Sequence, residues 1–122
     1  MKNSDIMSCY EGLTNLRKVA NRRLPARTSF AIIRNLKTLQ PIVEDIQTAY
    51  NELVLKYAEP VEEGQYKVKP GCLEDFNREA TNLYNVDTEV SIVKIKFSEI
   101  ENLDFTLNET EALYFIIEEG EA

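Results

Sequence analysis

The chain contains no histidine. That removes the commonest general base, the usual partner of a serine or cysteine nucleophile, and most zinc sites. It has only four glycines among 122 residues, and neither GxxxxGK[ST] nor GxGxxG occurs, so a phosphate-cradling loop has little material. No DxDxDG-like calcium loop is present, although carboxylates alone can hold Mg²⁺ or Ca²⁺. The two cysteines, Cys9 and Cys72, are far apart and lack a CxxC context, so both are expected reduced and buried. No apolar run approaches the roughly 20 residues that span a bilayer. The opening "MKNSDIMSCYEGL" has no uninterrupted apolar core of the signal-peptide kind. These absences lead to an expectation of a soluble, cytoplasmic, non-enzymatic protein with no cofactor, no metal and no membrane.

What the chain does have is charge polarity. Its net charge is −7, yet residues 1–37 carry eight basic and two acidic side chains, a local +6. Residues 38–122 carry −13. Such asymmetry points to electrostatic partners, or to charges satisfied within the chain or between like subunits. The basic third is densest in "NRRLPARTSF", with Arg22, Arg23 and Arg27 around a Leu-Pro step and Arg34 beyond it. Hydrophobic content of 43% suits one packed domain of this length.

Residues 4–21 are expected to form a first helix, capped by Ser4. Ile6, Cys9, Leu13, Leu16 and Ala20 recur at steps of three and four, one apolar stripe. Arg17, Lys18, Arg22 and Arg23 crowd its C-terminal end, where positive charge suits the dipole. Leu24-Pro25 ends it. A second helix follows to about residue 58, with a heptad seam of Ile32, Leu36, Leu39, Val43, Ile46, Tyr50, Leu53 and Tyr57. Pro41 lies inside this helix and is expected to kink or split it near Gln40. At 1.5 Å per residue the second helix is about 46 Å long, well beyond the first. Part of its seam must therefore be covered by later elements or by another copy, and self-association through residues 43–57 is expected.

The remaining residues, 59–122, read as a small α+β portion. Glu59-Pro60 stops the second helix, Glu63-Gly64 reads as a turn, 65–69 as a short strand and 73–84 as a helix with Leu73, Phe76, Ala80 and Leu83 inward. "TEVSIVKIKF" is the clearest strand pattern, with Val93, Ile95 and Phe97 facing in and Lys94 and Lys96 out. In "NETEALYFIIEE", Asn108 and Glu111 have capping-box spacing, and Leu113, Ile116 and Ile117 make a buried face. The expected architecture is a single α+β domain: a long helical hairpin, residues 4–58, packed with a small antiparallel sheet and two short helices.

The order of "LPARTSFAIIRNLKTLQPIVEDIQTAYNELVLKYAEP", "FNREATNLYNVDTEVSIVKIKF" and "FTLNETEAL" resembles an uncharacterised family of small phage and prophage proteins, mainly of Gram-positive bacteria. Its members show an LP-x-x-x-SF step into a long helix ending in KY, then a D-TEV strand. The resemblance covers roughly residues 20–117. It implies a phage or prophage origin, a location in the bacterial host cytoplasm and a small accessory role. It carries no catalytic residues.

Several residue groups are candidates for function. Arg22, Arg23, Arg27 and Arg34 either bind phosphate or an acidic protein surface, or neutralise a helix junction. Arg27 is the least explained locally, because a cation at the start of the second helix opposes its dipole. Lys67, Lys69, Lys94 and Lys96 would share one sheet face if their strands paired, a solvated face rather than a nucleic-acid track. Two acidic groups, Glu59, Glu62 and Glu63, then Glu99, Glu101 and Asp104, read as solvated. Tyr50, Tyr57 and Tyr84 either sandwich a base near the arginines or pack in the core. The leading expectation is a phage accessory protein that binds a protein partner, a host factor among the options, and forms a homo-oligomer. The alternatives are a nucleotide or signalling-molecule binder at a subunit interface and a minor structural component. An arginine- and tyrosine-lined pocket near Arg27 would favour the nucleotide; an open charged groove would favour the protein.

Overall fold

The computed structural model describes residues 1–19, 24–62, 64–101 and 103–118. Among these residues it has four α-helices and one two-stranded antiparallel sheet, an α+β arrangement dominated by one long helix. Helix α1 is Asn3–Val19 and α2 is Ala26–Tyr57, 32 residues and about 48 Å long. Their facing stripes build the core. Ile6, Cys9, Leu13 and Leu16 of α1 are buried against Ile32, Leu36, Leu39, Val43 and Ile46 of α2. Ala20 lies outside the described residues. Helix α1 starts one residue ahead of Ser4, so Ser4 is not its cap. The chain ahead of it is pinned instead: Asn3 N–H donates to Val86 O, and Thr88 N–H donates to Met1 O.

Pro41 neither splits α2 nor opens a loop at residues 39–42, and the helix runs through it. Pro41 is exposed on the outer side, where water can solvate the carbonyl that its ring leaves without a donor.

The lower seam is covered within the chain. Helix α3, Leu73–Asn85, lies along the end of α2 and sets Phe76 edge-on to Tyr50 and Tyr57, ring centroids 5.9 and 6.4 Å apart. Tyr84 packs on Tyr50 at 6.1 Å. Tyr50, Leu53 and Tyr57 are half-buried. The expectation of self-association through residues 43–57 thus loses its premise, an uncovered seam. Leu73, expected inward on α3, is exposed, while Phe76 is buried.

A strand that the sequence did not mark lies between α2 and the turn at Gly64. β1, Ala58–Glu62, leaves the helix directly and pairs with β2, Gln65–Val68, placing Glu59 opposite Lys67. Gly64, with φ of 72°, turns the hairpin in a conformation that side chains disfavour.

The strand expected from "TEVSIVKIKF" does not form. Residues 90–96 run extended beside α2 without a ladder, and their regular structure is one parallel bridge, Ile95 to Ile117. Ile95 is buried, but Val93 and Phe97 are exposed, and Phe97–Glu99 is a 3₁₀ turn. Alternation misleads here because the neighbour is a helix rather than a second strand. The backbone polar groups of Val93 are met by a side chain: Val93 N–H donates to Asn35 Oδ1 at 2.7 Å, and Asn35 Nδ2 donates to Val93 O at 3.0 Å.

Helix α4, Leu107–Tyr114, has its capping box two residues earlier than Asn108 and Glu111 would give. Glu109 N–H donates to Thr106 Oγ1 at 3.2 Å, and Thr106 N–H donates to Glu109 Oε1 at 2.9 Å. "TLNE" has the same S/T-x-x-E spacing, and starting there turns Ala112 and Leu113 onto α1. Gly12 permits that approach, since a Cβ at residue 12 would stand 2.8 Å from the Ala112 Cβ. Ile116 is buried just past the helix, and Ile117 is half-buried.

Candidate functional site

The first turns of α2 and the extended residues 93–96 enclose a groove of about 440 Å³. Its floor is Ala31 and Ile95, both buried. Phe30 and Val93 form apolar walls, with Phe30 60% exposed. Arg27, Lys94 and Lys96 bring three cations to the rim, while Glu99 and Glu118 bring two acids.

Helix α2 and one side chain position these groups. Arg27 and Phe30 are three residues apart and Arg34 lies one turn farther, so all three are exposed along one outer face. Asn35, on the opposite side of the same turns and wholly buried, holds Val93 through two hydrogen bonds and so fixes where Lys94 and Lys96 leave the backbone. At the other end Ile95 N–H donates to Ile116 O at 2.7 Å and Glu118 N–H donates to Ile95 O at 2.8 Å. Lys94 Nζ donates to Phe115 O at 3.1 Å, which draws that cation towards the end of α4.

The start of α2 lacks ordinary compensation. Its N-cap is Pro25, no side chain caps the first turn, and that turn contains no acid. Glu99 supplies a carboxylate from another element, with Oε1 3.9 Å from Arg27 Nη1. This pair is weak, because the Arg27 side chain is 86% exposed and water screens it. The other oxygen, Glu99 Oε2, is buried without a hydrogen-bond partner.

The sequence candidates separate accordingly. Arg27 joins Lys94 and Lys96, two groups read apart in the sequence. Arg34 shares the face but does not line the groove. Arg22 and Arg23 lie outside the described residues. Lys67 and Lys69 do not share a sheet face with Lys94 and Lys96; β2 pairs with β1 instead. Tyr50, Tyr57 and Tyr84 pack with Phe76 between α2 and α3 and do not line the Arg27 groove. Among the described residues, no cluster of His, Cys, Asp or Glu could hold a metal ion. No helix there is long and apolar enough to cross a membrane.

A second groove was missed in the sequence. It lies between α1 and α4, has a volume of about 1010 Å³ and is lined by Asp5, Glu11, Glu109 and Glu111, together with Ser8, Asn15 and Tyr114. Among the described residues, no lysine or arginine lines it. The signal was available as the polar recurrence of Asp5, Ser8, Glu11 and Asn15 opposite the apolar stripe of α1. It became a groove only when α4 docked alongside.

Both cysteines are free. Burial pushes the Cys9 thiol up to about 11, against a smaller opposing pull from Lys94. Cys72, expected buried, is half-buried instead. On the far end of α2, a hydrogen bond from Tyr57 and the nearby Lys56 ammonium hold the Glu79 carboxyl below its ordinary value.

No protein-family model, no curated protein and no solved structure matches this chain.

Proposed function

We propose that this is a non-catalytic binding protein, and that the groove at the start of α2 takes an acidic segment of a protein partner. The resemblance supplies the setting: a small accessory protein of a phage or prophage. The carrying observation is the character of the space beside Arg27. It is an open groove with cations on its rim, apolar walls and no tyrosine among its lining. A nucleotide would need an enclosed slot that buries most of its surface; Phe30 offers a ring, but the groove beside it is open. An extended acidic peptide needs a channel it can lie along, cations for its carboxylates and an apolar contact for an anchor residue.

Arg27 is the side chain to remove first. It opposes the dipole of its own helix, so its loss should barely change folding. A charge-assisted hydrogen bond contributes about 1.5–3 kcal/mol to binding. The probe is a fluorescein-labelled peptide of alternating Glu and Asp around a central Phe, titrated at low ionic strength against its Lys counterpart and a thymidine oligonucleotide. The acidic peptide should bind, Arg27→Ala should weaken it about tenfold or more, and the thermal midpoint should stay near that of the unaltered chain. Binding of the oligonucleotide but not the acidic peptide would replace this reading with a nucleic-acid one. Binding untouched by Arg27→Ala would move the site elsewhere.

A further inference from the structure

The two grooves carry opposite charge and lie on one chain. The groove at the start of α2 has Arg27, Lys94 and Lys96 on its rim against Glu99 and Glu118, an excess of one positive charge, and Arg34 continues the cationic face. Among the described residues, the groove between α1 and α4 has Asp5, Glu11, Glu109 and Glu111 and no cation. Each is bordered by a large exposed apolar side chain. Phe30 is 60% exposed at the first, while Tyr114 at the second is 71% exposed. Cations around an aromatic on one surface, with carboxylates around an aromatic on another, form a complementary pair.

We infer that the acidic partner of the Arg27 groove is a second copy of this chain, docking through its α1–α4 groove. This rests on the reading of the Arg27 face as a protein-docking surface, and it names the occupant. It also moves the expected self-association from the heptad seam, which α3 covers, to surfaces that no described element covers. The contact is heterologous: one patch meets a different patch, so each bound copy leaves one groove of each kind open for the next. Assembly should therefore grow with concentration rather than stop at a dimer, unless the geometry closes a ring. With charge as the selective element, association should be strong at low ionic strength and lost when the Debye length shrinks to a few ångströms.

Charge reversal tests this directly, with light scattering as the readout. In about 20 mM salt the unaltered chain should show a mean mass above 14.0 kDa that rises with concentration, returning to 14.0 kDa at about 1 M salt. One variant carries Arg27→Glu with Lys96→Glu; the other carries Glu11→Lys with Glu111→Lys. All four positions are exposed, and Glu109 of the capping box is left intact. Each variant alone should stay at 14.0 kDa, because the first has two acidic grooves and the second has no net charge left in its α1–α4 groove to attract the Arg27 face. Mixed in equal amounts, the two should associate, since the second variant keeps the Arg27 groove unaltered and the first keeps the acidic groove unaltered. If thermal unfolding shows that a reversal fails to fold, Arg27→Ala and Glu11→Gln replace the reversed pairs and should each lower the mean mass. Three results would each overturn the inference: an unaltered chain that stays monomeric at low salt, reversed variants that still associate alone, or a mixture that does not assemble. The acidic peptide separates the two readings. A monomeric chain that binds the peptide through Arg27 keeps the docking groove and loses the second copy as its occupant. A monomeric chain that does not bind the peptide loses both.

Discussion

The helical pair α1–α2 and the stretch at residues 86–106 hold together by different means. The helices meet along stripes, so each buried residue is one of many and stabilisation is spread over Ile6, Leu13, Leu16, Leu36, Leu39 and Val43. The later stretch has no ladder and no long stripe. It is fastened at points: Asn3 N–H donates to Val86 O at 2.9 Å, the Thr88 hydroxyl donates to Asn3 Oδ1 at 2.7 Å, and Asn35 binds both backbone groups of Val93. Both fastening side chains are buried asparagines on the two core helices. An amide side chain carries a donor and an acceptor, as a peptide group does, so it can satisfy an extended chain as one residue of a neighbouring strand would. The difference shows that a helical core can seat a strand-like segment without supplying a strand. It also places the candidate site: the Arg27 groove has one wall from each region, a stripe-held helix and a point-held segment.

The comparison breaks most visibly in the core. Leu39→Ala removes a wholly buried side chain from the stripe and should cost about 2–5 kcal/mol in denaturant unfolding. Ile92→Ala, at a half-buried position in the later stretch, should cost less than half as much. Equal losses would mean that the stretch is as much a part of the core as the helices.

Asn35→Ala sharpens the comparison, because it deletes a fastening rather than a stripe residue. It leaves Val93 N–H and C=O without their partner, at a cost of about 1–3 kcal/mol. Hydrogen exchange at residues 90–96 should rise well above that of α2, and the acidic peptide should bind more weakly although no groove residue has changed. Unaltered exchange at those residues would show that the Ile95–Ile117 bridge suffices.

The smallest effect separates two registers of α4. Thr106→Ala should lower stability by about 1 kcal/mol through the lost cap, whereas Asn108→Ala should leave it nearly unchanged. The reverse order would restore the cap at Asn108.

Some of this was legible in the residues and some was not. The stripes of α1 and α2 could be read because apolar spacing of three and four has one dominant solution, a helix face against a core. The fate of Pro41 could not, since a proline splits or merely interrupts a helix according to whether the freed carbonyl reaches water. Arg27 was legible as an anomaly, a cation at an uncapped helix start. That Lys94 and Lys96 would join it was not, because their alternation suggested a sheet face and gave no sign that Asn35 would stand in for the sheet.

By itself, then, the sequence determined the local elements: two long amphipathic helices, a turn at Gly64, the short helix after Gly71 and the surplus of positive charge before residue 38. These follow from local spacing and backbone preference, which act over a few residues. Tertiary structure alone decided that α3 covers Tyr50 and Tyr57, that α4 starts at Thr106 rather than Asn108, and that the TEV segment lies beside a helix. Each of those depends on groups far apart in the chain competing for the same partner. The charges follow the same division, since their signs are written in the chain, whereas their gathering into one cationic and one acidic groove required α2 to meet residues 93–96 and α4 to settle against Gly12.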